Sequence, residues 1–255
     1  SQNYNLAFSG GMKKLRYRAS FGYMDQQGIL KGSDYERLSG RLNVDSEVTK
    51  WLNLSANVNV TYESRRNLDE NNSYTATVFS TLAADPITPV YRDNLVDIPD
   101  FLQNRIMGGY EPTNPWSRYT GVIYSNKPNT VGQVDRSALN QWHGIATKSN
   151  ISGEVKLLPF LTFKSSIALD LVRNQSDSFR PSYSTYAGAS RSVANKDYWV
   201  FDNYLTYNQK FDKHAVTAMV GTSAEKERYE EIYAYKEGQV NNNPNQQIIN
   251  AGTMN

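Results

Sequence analysis

One long run of alternating residues constrains what this chain can fold into. Between residues 35 and 65, apolar and polar side chains alternate in two stretches that a short connection joins. The second stretch has the apolar set Leu52, Leu54, Ala56, Val58, Val60 and Tyr62, and the polar set Asn53, Ser55, Asn57, Asn59, Thr61 and Glu63. Because a period of two residues is typical of a β-strand, the sequence predicts a hairpin with one apolar and one polar face.

The length of the alternation favours a membrane-spanning strand. The pattern persists over about eleven residues, whereas strands of globular proteins usually have about five or six. At roughly 3.3 Å per residue and a tilt near 45°, such a strand rises about 25 Å, the height of the apolar band of an outer-membrane barrel. A single hairpin would also suit a half-exposed sheet in a soluble sandwich, so repetition of the pattern decides between the two.

The pattern recurs along the chain. It predicts strands at about residues 3–9, 15–26, 36–46, 52–65, 147–157, 161–173, 198–210 and 215–227. Short turns and longer loops alternate between these strands, which is the asymmetry of outer-membrane barrels. The longest loop, residues 66–146, contains a stretch from Tyr74 to Ala84 with apolar residues at helical spacing, so a short helix is predicted there.

Aromatic residues mark both ends of the predicted strands. Trp51, Phe160 and Phe211 fall at the short-turn end, and Tyr23, Tyr62 and Trp199 fall at the other end. The chain has 18 Tyr in spite of a low mean hydropathy, which suits a wall with interfacial aromatic girdles. The predicted fold class is therefore all-β, a segment of a transmembrane antiparallel β-barrel with one long outer loop that carries a short helix.

Composition excludes several classes of function. A formal net charge of +2 gives no case for nucleic-acid binding, and the absence of Cys excludes disulfides and thiolate chemistry. No apolar run is long enough for a transmembrane helix. The first residues, SQNYNLAFSGG, do not resemble a signal peptide, so a membrane protein of this sequence is expected to be a mature piece or a fragment.

Catalytic motifs are absent from the sequence, and we expect no enzyme activity, no metal and no cofactor. His143, predicted in a loop, and His214, predicted in a turn, are not spaced as ligands. Aromatic residues of the long loop are the better candidates for a ligand site, because flat apolar faces stack on sugar rings or peptide side chains. These candidates are Tyr91, Tyr110, Trp116, Tyr119 and Trp142. The alternative is that they pack the loop against itself or against a partner.

Two consecutive runs resemble a known family. QNYNLAFSGG and KLRYRASFGYMDQQGILKGSDYERLSGRLNVDSEVTKWLNLSANVNVTY are similar to the early barrel of SusC/RagA-type TonB-dependent transporters, the outer-membrane nutrient importers of Bacteroidetes. The extended segment from Pro86 to Tyr91 is similar to the stretch that follows in that family. The resemblance covers the first ninety residues or so; the remainder is similar in style, with alternating strands and loops rich in Asn and Tyr.

The resemblance implies a location and a set of partners. It implies an outer-membrane barrel of about 22 strands with a plugged lumen, of which this chain holds about eight strands and neither plug nor signal peptide. The implied partners are the remaining barrel and plug, a SusD-like surface lipoprotein, TonB acting through the missing N-terminal region, lipid and lipopolysaccharide, and an oligosaccharide or peptide cargo. Inward polar residues would then contact the plug and lumen water. These residues are Arg16, Arg18, Arg41, Asn43, Asn57, Asn59 and Glu63.

Two alternatives remain open from the sequence alone. A self-contained eight-stranded barrel with a structural or adhesive role would pair its first strand with its last. A soluble carbohydrate-binding β-sandwich would place Leu54, Val58, Phe163 and Ile167 in a dry core between two sheets.

Overall fold

The computed structural model describes residues 1–66, 68, 77–84, 90, 130–131, 134, 140–180, 188–238 and 249. The strands are β1 (Gln2–Met12), β2 (Leu15–Gln27), β3 (Asp34–Thr49), β4 (Leu52–Arg66), β5 (Gln141–Leu158), β6 (Leu161–Arg180), β7 (Gly188–Phe211) and β8 (His214–Glu237), and the short helix α1 (Thr77–Leu82) lies between β4 and β5. Within these described residues, no helix has both the length and the hydropathy needed to cross a bilayer.

The eight strands form one antiparallel sheet in the order of the sequence. Each strand therefore pairs with its neighbours along the chain, and the ladder satisfies the backbone polar groups of the inner strands, β2 to β7. Two of the short turns also form backbone hydrogen bonds with the adjacent strand. The N–H of Lys156 donates to the carbonyl of Trp51 at 2.8 Å, and the N–H of Asn208 donates to the carbonyl of Phe160 at 2.8 Å. The sheet is consequently continuous down to its short-turn edge.

Two hairpins share a local irregularity that their sequences also share. The register shifts in β3 between Glu47 and Thr49, and in β5 between Lys156 and Leu158, in both cases just before the short turn. The segments TKWLNLSAN and KLLPFLTFKSS span these two turns. A bulge increases the local right-handed twist of a strand, so the same device curves the sheet at two places on its short-turn edge.

The apolar side chains lie on the outside of a single layer. Phe21 is 58% exposed and Val220 is 66% exposed, and both lie on the face predicted to be apolar. Among the described residues, the only buried hydrophobic side chains are Leu68, Phe179 and Ala189. In the described part of the chain all strands belong to one sheet, and Leu54 and Ile167 on its outward face are 44% and 39% exposed. The alternative of a soluble sandwich with a dry core is therefore wrong, because water would contact a whole apolar face.

The sheet is open at both edges in the part of the chain that the structure describes. β1 pairs with β2 and β8 pairs with β7, and no pairing joins β1 to β8. An open edge presents unpaired N–H and C=O groups, which hydrocarbon does not tolerate. The alternative of a self-contained eight-stranded barrel is therefore wrong for the described residues, and further strands are needed to complete the wall.

The outward face changes from apolar to charged along β6 and β7. On β6 the outward residues from Leu161 to Leu171 are mostly apolar, over a rise of about 25 Å at a tilt near 45°. Beyond them, Arg173 contacts Asp197 at 2.5 Å and Arg191 contacts Asp177 at 2.5 Å, all on the outward face. These ion pairs would be costly in hydrocarbon, so the bilayer ends near Leu171.

The last four strands extend beyond the ends predicted for them. The predicted strands at 147–157, 161–173, 198–210 and 215–227 are observed at 141–158, 161–180, 188–211 and 214–237. Residues 174–180 and 188–197, expected to be loop, are therefore strand, and His143 and His214 lie in β5 and β8. Outside the bilayer both faces are polar, so the alternation disappears while the backbone ladder continues.

The two faces of β4 can be tested with one pair of substitutions in the intact membrane protein. We expect Val58→Arg to reduce the amount of folded protein in the outer membrane strongly, since an arginine near the bilayer midplane on the lipid face costs about 2–4 kcal/mol. Asn57→Arg points into the lumen and is expected to be tolerated. Heat-modifiable mobility on gels measures the folded fraction; equal loss for both variants would contradict the assignment of faces.

The turn between β7 and β8 supplies a second test. Asp212 has φ of 49°, a left-handed conformation in which a β-branched side chain is strained. We expect Asp212→Val to lower the free energy of unfolding by about 1–2 kcal/mol, whereas Asp212→Gly should leave it unchanged or raise it. Urea unfolding in detergent micelles measures the difference, and an unaffected Asp212→Val variant would show that the turn relaxes to another conformation.

Candidate functional site

Polar side chains line the inner face of the sheet over most of the strands. Register places Asn43, Asn57 and Asn150 side by side on β3, β4 and β5. With their neighbours, including Arg41, Asn59, Lys148 and Asp170, they line a shallow cavity of about 510 Å³. Four of the residues that the sequence predicted to face the lumen line this cavity, namely Arg41, Asn43, Asn57 and Asn59.

One carboxylate in this cavity retains hydrogen-bonding capacity. Asp170 Oδ2 lies 3.5 Å from Lys148 Nζ. Its other oxygen, Oδ1, is buried and accepts no hydrogen bond from the described residues. A buried polar atom without a hydrogen-bond partner lowers the stability of the fold. Asp170 Oδ1 is therefore available to accept a hydrogen bond from a group that the described residues do not supply.

A second cavity, of about 490 Å³, lies nearer the short turns. It includes Arg16, Asp45 and Glu154, which the register places on the same inner face. Ser55 Oγ donates to Asp45 Oδ1 at 2.7 Å, and Asn53 Nδ2 donates to Glu154 Oε1 at 3.4 Å. Both of these acceptors already have hydrogen-bond partners on the sheet. The cavity near the short turns therefore has less unused hydrogen-bonding capacity than the cavity that contains Asp170. Arg18 and Glu63 lie on the same face by register.

Trp142 occupies a strand and not the long loop in which it was predicted. It lies on the inner face of β5, where its register partners are Arg65 on β4 and Ser176 on β6. The guanidinium carbon of Arg65 lies 4.1 Å from the centroid of the indole ring, which is a cation–π contact. The prediction of a loop position is wrong because residues 141–146 have no apolar alternation to mark the start of the strand.

The ring of Trp142 is held over a glycine. Gly144 is buried, and a Cβ at this position would lie 3.0 Å from a ring carbon of Trp142 and 2.4 Å from Asn174 Oδ1. A larger residue would therefore displace the indole or the amide. On β3, Tyr35 is the register partner of Arg65, and its hydroxyl donates to Glu63 Oε1 at 2.9 Å. Arg65 Nε is buried with no hydrogen-bond partner among the described residues.

These five residues, Tyr35, Glu63, Arg65, Trp142 and Gly144, form what we call the mouth cluster. It lies at the outer end of β3, β4 and β5, on the inner face. The cluster combines a fixed aromatic ring, a guanidinium and a carboxylate, which are groups that stack on flat ligand surfaces and bind polar ones. It is suited to recognition of a ligand and contains no nucleophile paired with a base.

The other four predicted ligand residues, Tyr91, Tyr110, Trp116 and Tyr119, lie outside the described residues, and their role stays a prediction. Within the described ranges, no group of three or more His, Asp or Glu side chains is placed to hold a metal ion.

Sequence reasoning also missed a row of residues on the outer part of β8. At alternate positions this strand carries Glu227, Tyr229, Glu231, Tyr233, Tyr235 and Glu237, which we call the β8 stripe. The register partner of Tyr229 is Lys196 and that of Tyr233 is Ser192, both on the inner face of β7. A period of two in Glu and Tyr was the available signal, but it lacks the apolar residues that identify a membrane strand.

Comparison with curated proteins finds TonB-dependent receptors. The chain is 28% identical over 232 residues to TonB-dependent receptor P39 of Formosa agariphila, covering 89% of this chain and 20% of that protein. It is 26% identical over 234 residues to TonB-dependent receptor SusC of Bacteroides thetaiotaomicron, covering 87% of this chain and 22% of that protein. No family model matches the chain. The chain thus spans about a fifth of the length of these relatives.

Comparison with solved structures finds the same wall. The RagAB peptide importer in its open-open state matches with a TM-score of 0.69 at 17% identity, over 99% of this chain and 27% of that one. The ferric citrate transporter FecA matches with a TM-score of 0.53 at 9% identity, over 95% of this chain and 29% of that one. At these identities the likeness concerns the fold.

The fold, the facing of the side chains and the relatives agree with one another. The relatives are receptors of the outer membrane, and none of those named above is described as an enzyme. An open antiparallel wall with an apolar outer face and a polar inner face is what a fraction of such a barrel requires. The chain is therefore a segment of an outer-membrane β-barrel that is similar in sequence and fold to the barrels of TonB-dependent receptors such as SusC and RagA.

Proposed function

We propose that this wall segment belongs to an energy-coupled importer of oligosaccharide or peptide nutrients. The observation that carries the proposal is the difference between the two faces of one sheet. The outer face is apolar over a height of about 25 Å, and the inner face has polar side chains, including Asp170 and Arg65, whose hydrogen-bonding groups are not all used within the described wall. Such a surface lines a passage through which a polar cargo moves.

The relatives support the proposed energy source and cargo. Two curated relatives carry the name TonB-dependent receptor, and the RagAB structures are described as a peptide transporter and importer. We infer that TonB drives transport through the whole protein. We also infer, from the family resemblance, that a SusD-like surface lipoprotein cooperates with it at the outer end of the barrel.

The mouth cluster is proposed as one point of contact with the cargo. Trp142 has its ring supported from one side by Arg65 at 4.1 Å, so little conformational entropy is lost when a ligand stacks on it. Its position on the inner face keeps it away from lipid. The proposal extends to Tyr91, Tyr110, Trp116 and Tyr119, as residues of the long loop that follows β4.

Energy coupling can be tested with the intact protein in its own outer membrane. We expect cells to accumulate a labelled oligopeptide or oligosaccharide mixture through this protein, and to lose the accumulation when TonB is deleted. Deletion of the cognate lipoprotein should reduce it. Uptake that persists at the same rate in cells without TonB would indicate a passive pore and contradict the proposal.

The role of the mouth cluster can be tested with two tryptophan variants of the intact transporter. We expect Trp142→Ala to weaken cargo binding by about twofold to tenfold, since loss of one aromatic stacking contact costs about 0.5–1.5 kcal/mol. Trp199→Ala, on the outer face near the membrane boundary, is the matched control and should lower the folded amount without changing affinity. Equal affinity of the Trp142→Ala and wild-type proteins, measured by fluorescence anisotropy, would remove Trp142 from the cargo site.

A further inference from the structure

The β8 stripe lies above the bilayer and faces the interior of the barrel. Lys226 is the register partner of Trp199 at the upper boundary of the apolar band, and the stripe begins at the next residue of β8. Its side chains point to the same side as Lys196 and Ser192 of β7, and therefore away from lipid. Neither the membrane nor a hydrophobic core accounts for the tyrosines in this row.

The tyrosine rings of the stripe are exposed, and their hydroxyl groups hold the carboxylates in place. Tyr229 is 59% exposed and Tyr233 is 66% exposed. The hydroxyl of Tyr229 donates to Glu231 Oε2 at 2.9 Å, and that of Tyr235 donates to Glu237 Oε1 at 3.0 Å. Ser192 Oγ also donates to Glu231, at 2.9 Å. The stripe is therefore an ordered surface of aromatic faces and carboxylates.

The stripe is strongly negative. Together with Glu225, one position below it on the same face, it presents four carboxylates. The inner face of the outer part of β7, residues 188–199, opposes them with one ammonium, that of Lys196, which lies 2.9 Å from Glu227. Four negative charges against one positive charge leave a formal charge of −3 on this part of the wall. A cationic ligand neutralises this charge, whereas an uncharged sugar does not.

We propose that the β8 stripe binds basic segments of extended peptide cargo. Alternate side chains of an extended peptide project on one side about 6.6–6.8 Å apart, which is also the spacing of alternate residues on β8. Lysine or arginine side chains at alternate positions would meet the carboxylates of Glu227, Glu231 and Glu237. Between these contacts, the faces of Tyr229 and Tyr233 attract the same cations.

The inference rests on the proposed import function and narrows its cargo from oligosaccharide or peptide to peptides with a net positive charge. Attraction of this kind also raises the local concentration of such peptides at the mouth. Since the groups are exposed to solvent, the binding should weaken as the salt concentration rises.

Equilibrium binding to the purified intact transporter tests the proposal. The probes are labelled decapeptides of alternating Lys and Ser, Gln and Ser, or Glu and Ser, with a labelled uncharged glucan oligosaccharide as a fourth. We expect the Lys peptide to bind most tightly at low salt. The triple variant Glu227→Gln, Glu231→Gln, Glu237→Gln should weaken its binding about fivefold to tenfold, the size expected for a few exposed ion pairs, and leave the Gln peptide unchanged.

Two further variants make the test specific. Glu230→Gln is the matched control, because Glu230 lies on the same strand but on the outward face, where it contacts Arg228; it should bind the Lys peptide as the wild type does. Tyr229→Ala with Tyr233→Ala should weaken Lys-peptide binding about fivefold. Gel mobility checks that each variant is folded.

Three results would overturn the proposal. They are equal affinity of the wild type for all three peptides, unchanged Lys-peptide binding in the triple variant, and a loss in the stripe variants that is confined to the oligosaccharide. Each of these results is compatible with TonB-dependent uptake, so it would reject the stripe as a basic-peptide site without rejecting an importer. Loss of TonB dependence in the wild type would instead count against the importer itself.

Discussion

Everything in this structure depends on satisfying the backbone inside hydrocarbon. No water is available there to bond an N–H or C=O group, so a strand can cross only if both its neighbours pair with it. The continuous ladder from β1 to β8 meets this requirement for the inner strands. Once the ladder is in place, the pleat sends alternate side chains to lipid and to the lumen. An exposed Phe21 or Val220 is then favourable, although it would be a liability in water.

The same ladder is used differently above the membrane. Within the bilayer, apolar contact with lipid favours the outward side chains. Beyond Leu171, ion pairs such as Arg173 with Asp197 replace that contact. Exposed ion pairs contribute only about 0–1 kcal/mol each, so they do not account for the long strands by themselves. The outer parts of β6, β7 and β8 are stabilised chiefly because they continue paired strands that the membrane already aligns.

The extension of these strands creates the candidate binding surfaces. Register places Trp142, Ser176, Ser192 and Tyr233 in one row across β5 to β8. Three strand spacings separate Trp142 from Tyr233, a distance of about 14 Å. The mouth cluster and the β8 stripe therefore line one section of the wall, at a separation that a short oligomeric cargo can bridge. The paired strands of the sheet hold these side chains in position.

The sequence by itself determined the hairpins and the assignment of faces. Alternation at positions such as Val58 and Asn57 can be read from a short stretch of sequence. It has few exceptions within the bilayer because a polar side chain in lipid is costly. Prediction from alternation failed outside the bilayer, where a polar side chain is not costly on either face. Residues 174–180 and 188–197 are strand without alternation, and Trp142 lies in β5 although its neighbours in sequence indicate no strand.

Tertiary structure alone decided which residues meet. The pairing of Asn53 with Glu154, of Arg65 with Trp142, and of Lys196 with Glu227 joins residues far apart in the sequence. All the backbone pairs of the ladder together set the register, along with the bulges at the short turns. The sequence of a single strand is therefore not enough to predict the register. The open edges of β1 and β8 likewise follow from the whole sheet, because closure depends on how all strands are staggered and not on the pattern within any one of them.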